Sequence, residues 1–418
     1  MKKRFVIVLI FLLSLISSSG QTIEKPRGCF AGTNGFGQAV ISHPEVRGVL
    51  LAVRWSNIEV SPGVFDFTSL NSKIDQVEAA GLKFTIAITA GATGSPDWLI
   101  DDFGVDFISY MFREELVKLP FWWDPIVQNR LEILITELGI QYSQNTSLSH
   151  VYVSQMTSNG IEGHLNALDM NLFIDQGYTD QKWIDAAKWT ATKYADAFPD
   201  IPIVFEIHNI NQDTVVPTTI INDLYEDPQF CQRVGLAMWW ISGKTDYQGD
   251  LLDFIFNYQG DKYAQVIGRS DQLERFKDSL YENVFIQAKQ LGIQYIEPWP
   301  YEFINHTHDS LFHDFNLWSD SQFPSSDACE ILTISTPDNK KIIISPNPFN
   351  KETVIKFENP NRQPFILTLY SFNGKLINRL DAIRTNRITL KKGNLSNGLY
   401  FIQLKSKNKT LTGKLIME

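Results

Sequence analysis

Between Gly28 and Trp299 the chain sets out eight strand-like stretches separated mostly by helix-like ones, and this rhythm constrains its fold more than any other feature. The strand-like runs are Gly28–Ala31, Gly48–Trp55, Lys83–Thr89, His150–Thr157, Ile201–Asn209, Val234–Ser242, Ala264–Gly268 and Gly292–Trp299. Ser69–Ala80 carries Leu70, Ile74, Val77 and Ala80 on one face, the spacing of an amphipathic helix. Helical patterns recur over Pro125–Tyr142, Trp183–Phe198 and Leu273–Leu291, and none is clear between the fifth and sixth strands. Strands alternating with helices over this length predict a parallel α/β fold, a (β/α)₈ barrel. The alternative is an open doubly wound sheet, which usually carries a glycine-rich phosphate turn after its first strand. Gly32-Thr33-Asn34-Gly35-Phe36-Gly37 is glycine-rich but lacks that spacing.

Both ends of the chain differ from this body. Met1-Lys2-Lys3-Arg4 precedes a twelve-residue apolar run from Phe5 to Ile16 and a small-residue exit, Ser17-Ser18-Ser19-Gly20. That order predicts a secretory signal over residues 1–20, too short to span a bilayer, and no later segment is apolar enough to do so. After Lys341 the pattern changes to short β-branched and aromatic runs punctuated by Asn373-Gly374, Lys392-Gly393 and similar turns, which predicts a small all-β sandwich. Charge divides along the same line. Of a total of -10, the segment from Lys341 carries +10 and the first twenty residues +3, which leaves -23 on residues 21–340. An acidic body argues against nucleic acid as its ligand and gives no reason to expect an anionic polymer. The expected domains are 1–20, a barrel over 21–335 and a sandwich over 336–418. Three cysteines (Cys29, Cys231, Cys329) have no metal-type spacing and allow at most one disulfide.

The tail resembles a known family. Ser345-Pro346-Asn347-Pro348-Phe349, Leu369-Tyr370-Ser371-Phe372-Asn373-Gly374-Lys375, Leu395-Ser396-Asn397-Gly398-Leu399-Tyr400 and Gly413-Lys414-Leu415-Ile416 are similar to the C-terminal sorting domain of the type IX (Por) secretion system. The resemblance implies a Gram-negative, Bacteroidota-type source, engagement of that secretion machinery, and a destination on or beyond the outer membrane.

In a barrel, chemistry sits at the C-terminal ends of the strands. The second strand ends Arg54-Trp55-Ser56-Asn57-Ile58-Glu59, followed by Ser61-Pro62-Gly63-Val64-Phe65-Asp66-Phe67, and the third is followed by Ser95-Pro96-Asp97-Trp98-Leu99. These segments resemble the barrel glycoside hydrolases of the clan that includes β-galactosidases and cellulases. In that comparison Glu59 pins a loop. The clan carries adjacent Asn-Glu after strand four, the Glu being the general acid/base; here Asn159 and Glu162 stand three apart, with His164 beside them. The clan's nucleophile on strand seven would fall near Gly268, where Arg269 stands instead.

Hydrolysis of a glycoside needs two carboxyl groups, ~5 Å apart in a retaining enzyme and ~6.5–9.5 Å apart in an inverting one. The candidates for the second are Glu297, then Glu206, then Asp271. Period two places Glu206 and His208 on the lumen side of strand five, opposite Ile203, Phe205 and Ile207, with Arg54 as a possible ion-pair partner for Glu206. Trp55, Trp240 and Trp299 fall near strand ends, where aromatic rings stack on the apolar faces of sugars. The expectation is a secreted hydrolase of a neutral β-linked poly- or oligosaccharide, with Glu162 and Glu297 catalytic. Arg54, Trp55, Asn159, His164, Glu206, His208, Trp240 and Trp299 would bind the substrate, with no metal or cofactor. The alternative is a non-catalytic glycan-binding barrel, for which Arg269 speaks.

Overall fold

The computed structural model describes residues 21–33, 35–230, 232–329, 342–357, 359, 362–371, 375–406 and 410–417. The expected signal segment, the 335/336 boundary and Cys231 lie outside them. The chain divides into two compact units at Glu330/Ile331.

The first unit is built on eight parallel strands: β1 (Gly28–Cys29), β2 (Gly48–Arg54), β3 (Lys83–Thr89), β4 (Leu148–Tyr152), β5 (Ile203–Glu206), β6 (Val234–Ile241), β7 (Lys262–Val266) and β8 (Tyr295–Glu297). They are hydrogen-bonded in that order from β2 to β8, and β8 pairs with β1. A parallel bridge from Ala31 to Val49 joins β1 back to β2 and closes the barrel. The intervening helices are α1 (Thr68–Ala79), α2 (Pro125–Tyr142), α3 (Asp180–Ala197), α4 (Val215–Glu226), α5 (Gly249–Asn257), α6 (Glu282–Leu291) and α7 (Asp309–Gln322). Local signals start several of them. Asp124 accepts the Ile126 N–H at 2.7 Å ahead of Pro125 at the first turn of α2, and Thr179 caps α3 through the Lys182 N–H.

Two apolar layers hold the barrel. The outer faces of the strands pack against the buried stripes of the helices, such as Leu131, Leu134, Ile135 and Leu138 of α2. The lumen holds a second cluster in which Tyr152, Tyr263, Tyr295 and Trp239 meet Phe30 and Leu50. Rings of this size fit because their neighbours are small: a Cβ on Gly235 would lie 2.2 Å from the Tyr263 ring.

The expected helix over Leu273–Leu291 is two 3₁₀ turns, Leu273–Arg275 and Lys277–Ser279, followed by α6. Asp278 and Ser279 break it, with φ of 53° and 57°. The segment 107–120 forms an antiparallel hairpin, Phe107–Phe112 with Glu115–Pro120, that sequence patterning leaves unassigned.

The second unit is a β-sandwich. One antiparallel sheet orders β9 (Ile343–Ser345), β10 (Glu352–Lys356) and β13 (Arg387–Lys391); the other orders β12 (Leu376–Ile383), β11 (Phe365–Ser371), β14 (Gly398–Lys405) and β15 (Thr410–Met417). Ile355, Leu367, Leu369, Ile402, Leu404 and Leu415 fill the space between them. No helix among the described residues is long and apolar enough to cross a membrane.

Candidate active site

A cavity of about 690 Å³ opens where β2 to β8 end. Trp239, Trp240, Tyr247 and Trp299 supply its aromatic wall. Through His164, Asn166, His208 and Tyr247 it runs into a second hollow of about 950 Å³ over the loops that follow β4, β5 and β6. Asn211, Gln212 and Gln248 line that hollow with backbone φ between 51° and 61°, a strained geometry for non-glycine residues. Asn209 Oδ1 and Gln248 Nε2 are buried there without a hydrogen-bond partner.

The loop after β4 carries Glu162 and is tied down along its length. Ser154 donates to the Ile88 carbonyl at 2.6 Å, and Gln155 Nε2 donates to the carbonyls of Ile161 and Glu206 at 2.7 and 2.8 Å. Gly160 turns at φ +86° so close to Ala90 that any Cβ would lie 2.3 Å from the Ala90 oxygen, which only glycine permits. Asn159 then grips Glu162 at both ends: its amide donates to Oε1, and its Oδ1 accepts the Glu162 N–H at 3.0 Å. The separated Asn159 and Glu162 thus meet across a tight turn. Glu162 Oε2 faces His164 Nε2 at 3.7 Å and His208 Nε2 at 3.9 Å, and its side chain is 23% exposed. Burial, followed by the negative charge of Glu206, raises the Glu162 pKa, against the opposing pull of His208, Asn159 and Arg113.

Glu206 is fully buried and accepts from three N–H groups. Its Oε2 takes the Gly163 N–H at 2.6 Å and His208 Nδ1 at 2.9 Å; its Oε1 takes the Trp239 N–H at 3.0 Å. It joins the β4 loop to β5 and β6 and does not line the cavity. The expected Arg54 ion pair is absent; His208 is the partner instead, because period two puts both on the lumen side while Arg54 is exposed at the rim. Burial pulls the His208 pKa down, but the charge of Glu206, the hydrogen bond to it and the charge of Glu162 carry it above its ordinary value. His164 goes the other way: burial, reinforced by His208 and Arg113, lowers its pKa to about 3.

Glu297 also lies beneath the cavity, not in its lining. Oε1 accepts from the hydroxyls of Tyr295 at 2.7 Å and Tyr152 at 3.0 Å, and Oε2 accepts from Gln265 Nε2 at 2.7 Å. Burial raises its pKa to about 7 against these three donors. Gln265 stands between Glu297 and the cavity, and it faces the lumen from β7, in register with Glu297. Arg269 lies beyond the strand end, so the strand-seven position at the cavity belongs to a neutral amide. Asp271 is held bidentate by Arg269 at 3.0 and 2.8 Å. Among the described lining residues Glu162 is the single carboxyl.

Trp55 is fully buried and offers no sugar platform. A helical turn, Trp55–Ile58, folds it under the loop, where its Nε1 donates to Glu59 Oε2 at 2.8 Å. Glu59 also accepts the Gly63 N–H at 2.8 Å and pairs with Arg130, the loop-pinning role the resemblance implies. Trp240 and Trp299 do line the cavity, fixed by donation to the carbonyls of Ile207 at 3.0 Å and Val266 at 2.7 Å. Sequence reasoning missed Arg113, Tyr247, Gln265 and Arg275. Only Gln265 carried a readable signal, its alternation with Tyr263. Elsewhere in this unit, ligand atoms of His43, His306 and Asp309 lie within 4.8 Å of one another, already joined by hydrogen bonds of 3.0 and 2.9 Å.

Residues 343–418 match the family model of the secretion system C-terminal sorting domain. No curated protein matches the sequence. Among solved structures, the chain is similar to the catalytic domain of β-amylase from Paenibacillus polymyxa at 9% identity, with 72% of this chain and 100% of that one covered and a TM-score of 0.51. An endo-β-1,4-mannanase from Thermotoga petrophila matches at 10% identity over 94% of this chain and 98% of that one, with a TM-score of 0.44. An intracellular xylanase from Thermoanaerobacterium saccharolyticum matches at 15% identity over 65% and 85%, with a TM-score of 0.41. At these identities the first likeness establishes the shared barrel fold.

Proposed function

We propose that the protein is a glycoside hydrolase exported by the type IX route of a Gram-negative cell, with Glu162 as the acid that protonates the leaving glycosidic oxygen. One observation carries this reading: Glu162 is the only described carboxyl lining an aromatic-walled cavity at the functional end of the barrel, and its surroundings favour the protonated form. Asn159 positions its Oε1, while His164 and His208 face its Oε2. Trp240, Trp299 and Tyr247 stack on sugar rings. Glu297 acts from below, by orienting Gln265, and His208 is oriented in turn by Glu206.

A second reading, a barrel that binds glycan without cleaving it, is favoured by the amide of Gln265 at the cavity and by the lack of a second described lining carboxyl. The full chain should release reducing ends from a glycan, and Glu162→Gln should lower that release at least ~10³-fold with an unchanged circular dichroism spectrum. Equal turnover in the variant removes Glu162 as the acid. Retention of a glycan with no release over long incubation selects the binding barrel.

A further inference from the structure

We propose that the glycan bound in this cavity is anionic, its carboxylate or sulfate group held by the guanidinium groups of Arg54, Arg113 and Arg275. The inference deepens the saccharide reading by naming the substrate class of the same site. It departs from the expectation, drawn from bulk charge, of a neutral glycan.

The cavity has the opposite sign to the domain around it. Residues 21–340 carry a net charge of -23, yet four arginines line the cavity against one carboxylate. They arrive from separate places: Arg54 ends β2, Arg113 sits at the turn of the hairpin before α2, and Arg269 and Arg275 follow β7. Arg269 is neutralised by Asp271. Among the described residues the other three form no ion pair, although the charge of Arg113 acts on Glu162. Arg275 donates to the Ile267 carbonyl at 2.9 Å, and Arg113 lies 5.0 Å over the Phe112 ring. Arg54 makes no hydrogen bond or ion pair among the described residues.

On so acidic a domain an arginine outside any ion pair has carboxylates available to it, and three that line one concavity repel one another. A neutral sugar returns little for that repulsion, since hydroxyls bind equally well to amides. An oxyanion takes paired, charge-assisted N–H donors and relieves the repulsion as it does so. The adjoining hollow has the reverse character, with Asp169, Asp246 and Asp250 in its lining. The anion therefore sits on the β2–β3–β7 side of Glu162.

The full chain is tested by affinity electrophoresis and by reducing-end release. The probes are polygalacturonate, alginate, chondroitin sulfate and carrageenan, beside xylan, mannan and laminarin. At least one anionic polymer should retard the protein or be cleaved. The effect should weaken about tenfold in Arg113→Ala and in Arg275→Ala, and should fall between about 50 and 500 mM NaCl. Both side chains are exposed, so folding is retained, and circular dichroism checks it. Loss on carboxyl reduction of the polymer assigns a uronate; loss on desulfation assigns a sulfate ester. Cleavage of neutral polymers alone overturns the proposal and leaves the hydrolase standing. Salt-sensitive retention of an anionic polymer without cleavage supports the proposal and removes the hydrolase. Anionic retention indifferent to both arginines and salt, or no engagement of any probe, overturns the proposal.

Discussion

Glu206→Gln and Glu297→Gln make the same chemical change at two fully buried carboxyls, and the surroundings predict opposite outcomes. Glu206 accepts two main-chain N–H groups and one imidazole N–H. A glutamine there must place its NH₂ where one carboxylate oxygen stood. At Oε1 it meets the Trp239 N–H; at Oε2 it meets the Gly163 N–H. Main-chain donors cannot turn round, so each orientation strands a backbone N–H and an amide. Two orphaned groups cost about 2–4 kcal/mol. With an unfolding entropy of ~2.1 cal/mol/K per residue over roughly 300 residues, that lowers Tm by about 3–6 °C.

Glu297 accepts from two hydroxyls and one side-chain amide. A glutamine oxygen at the Oε1 position keeps both tyrosines, and a half-turn of the Gln265 amide offers Oε1 to the new NH₂. The Thr33 hydroxyl serves Gln265 in either orientation. The ionisation term then favours the variant. The folded pKa of Glu297 is about 7 against 4.5 in the free side chain, so the unfolded chain releases this proton first. Wild-type stability is therefore whole below pH ~4.5 and declines by about 3 kcal/mol as pH rises to 7. Glutamine has no proton to lose. Glu297→Gln should melt near wild type at pH 4.5 and several degrees above it at pH 8, while Glu206→Gln melts low at both. All ten tryptophans lie between Trp55 and Trp318, so intrinsic fluorescence follows the barrel unit alone in the full chain. An unchanged Tm for Glu206→Gln, or a Glu297→Gln barrel that melts below wild type at pH 8, refutes the reasoning.

Two further outcomes follow from the same contacts. Arg130→Ala leaves Glu59 fully buried with only the Trp55 and Gly63 donors, so the barrel should lose about 3–5 kcal/mol, read as a drop in the urea midpoint. Asn159→Ala deletes an amide donor that favours the ionised form of Glu162 against the burial that raises its pKa. Because the proposed acid would work only while protonated, the alkaline limb of kcat/KM should move up. A limb that stays put, or moves down, separates Asn159 from the titration of Glu162.

What was legible in the sequence follows from where pattern carries information. Period two runs through β5 and on to His208, so Glu206 and His208 could be placed on the lumen side from spacing alone. The eight strands themselves announce their order through alternation with helices. The loops beyond the strands have no such rule, and a barrel builds much of its site from them. Strand seven ends at Val266 and not at Gly268, so the last lumen-facing residue within it is Gln265, and Arg269 lies in the loop beyond. Trp55 ends a strand on paper, but the turn over Trp55–Ile58 buries it. The hairpin that delivers Arg113 lacks the usual Asn-Gly or Asp-Gly signal; Arg113 and Glu114 take up its positive φ values of 50° and 69° themselves. Its outer face also carries Met111 and Leu116, 55% and 73% exposed, which blur the alternation that would mark it as strands. The charge of the site was hidden for the same reason. A sum over residues 21–340 averages four arginines into an acidic surface, and only the strand end and loops that place Arg54, Arg113 and Arg275 on one cavity reveal that its lining and the domain have opposite signs.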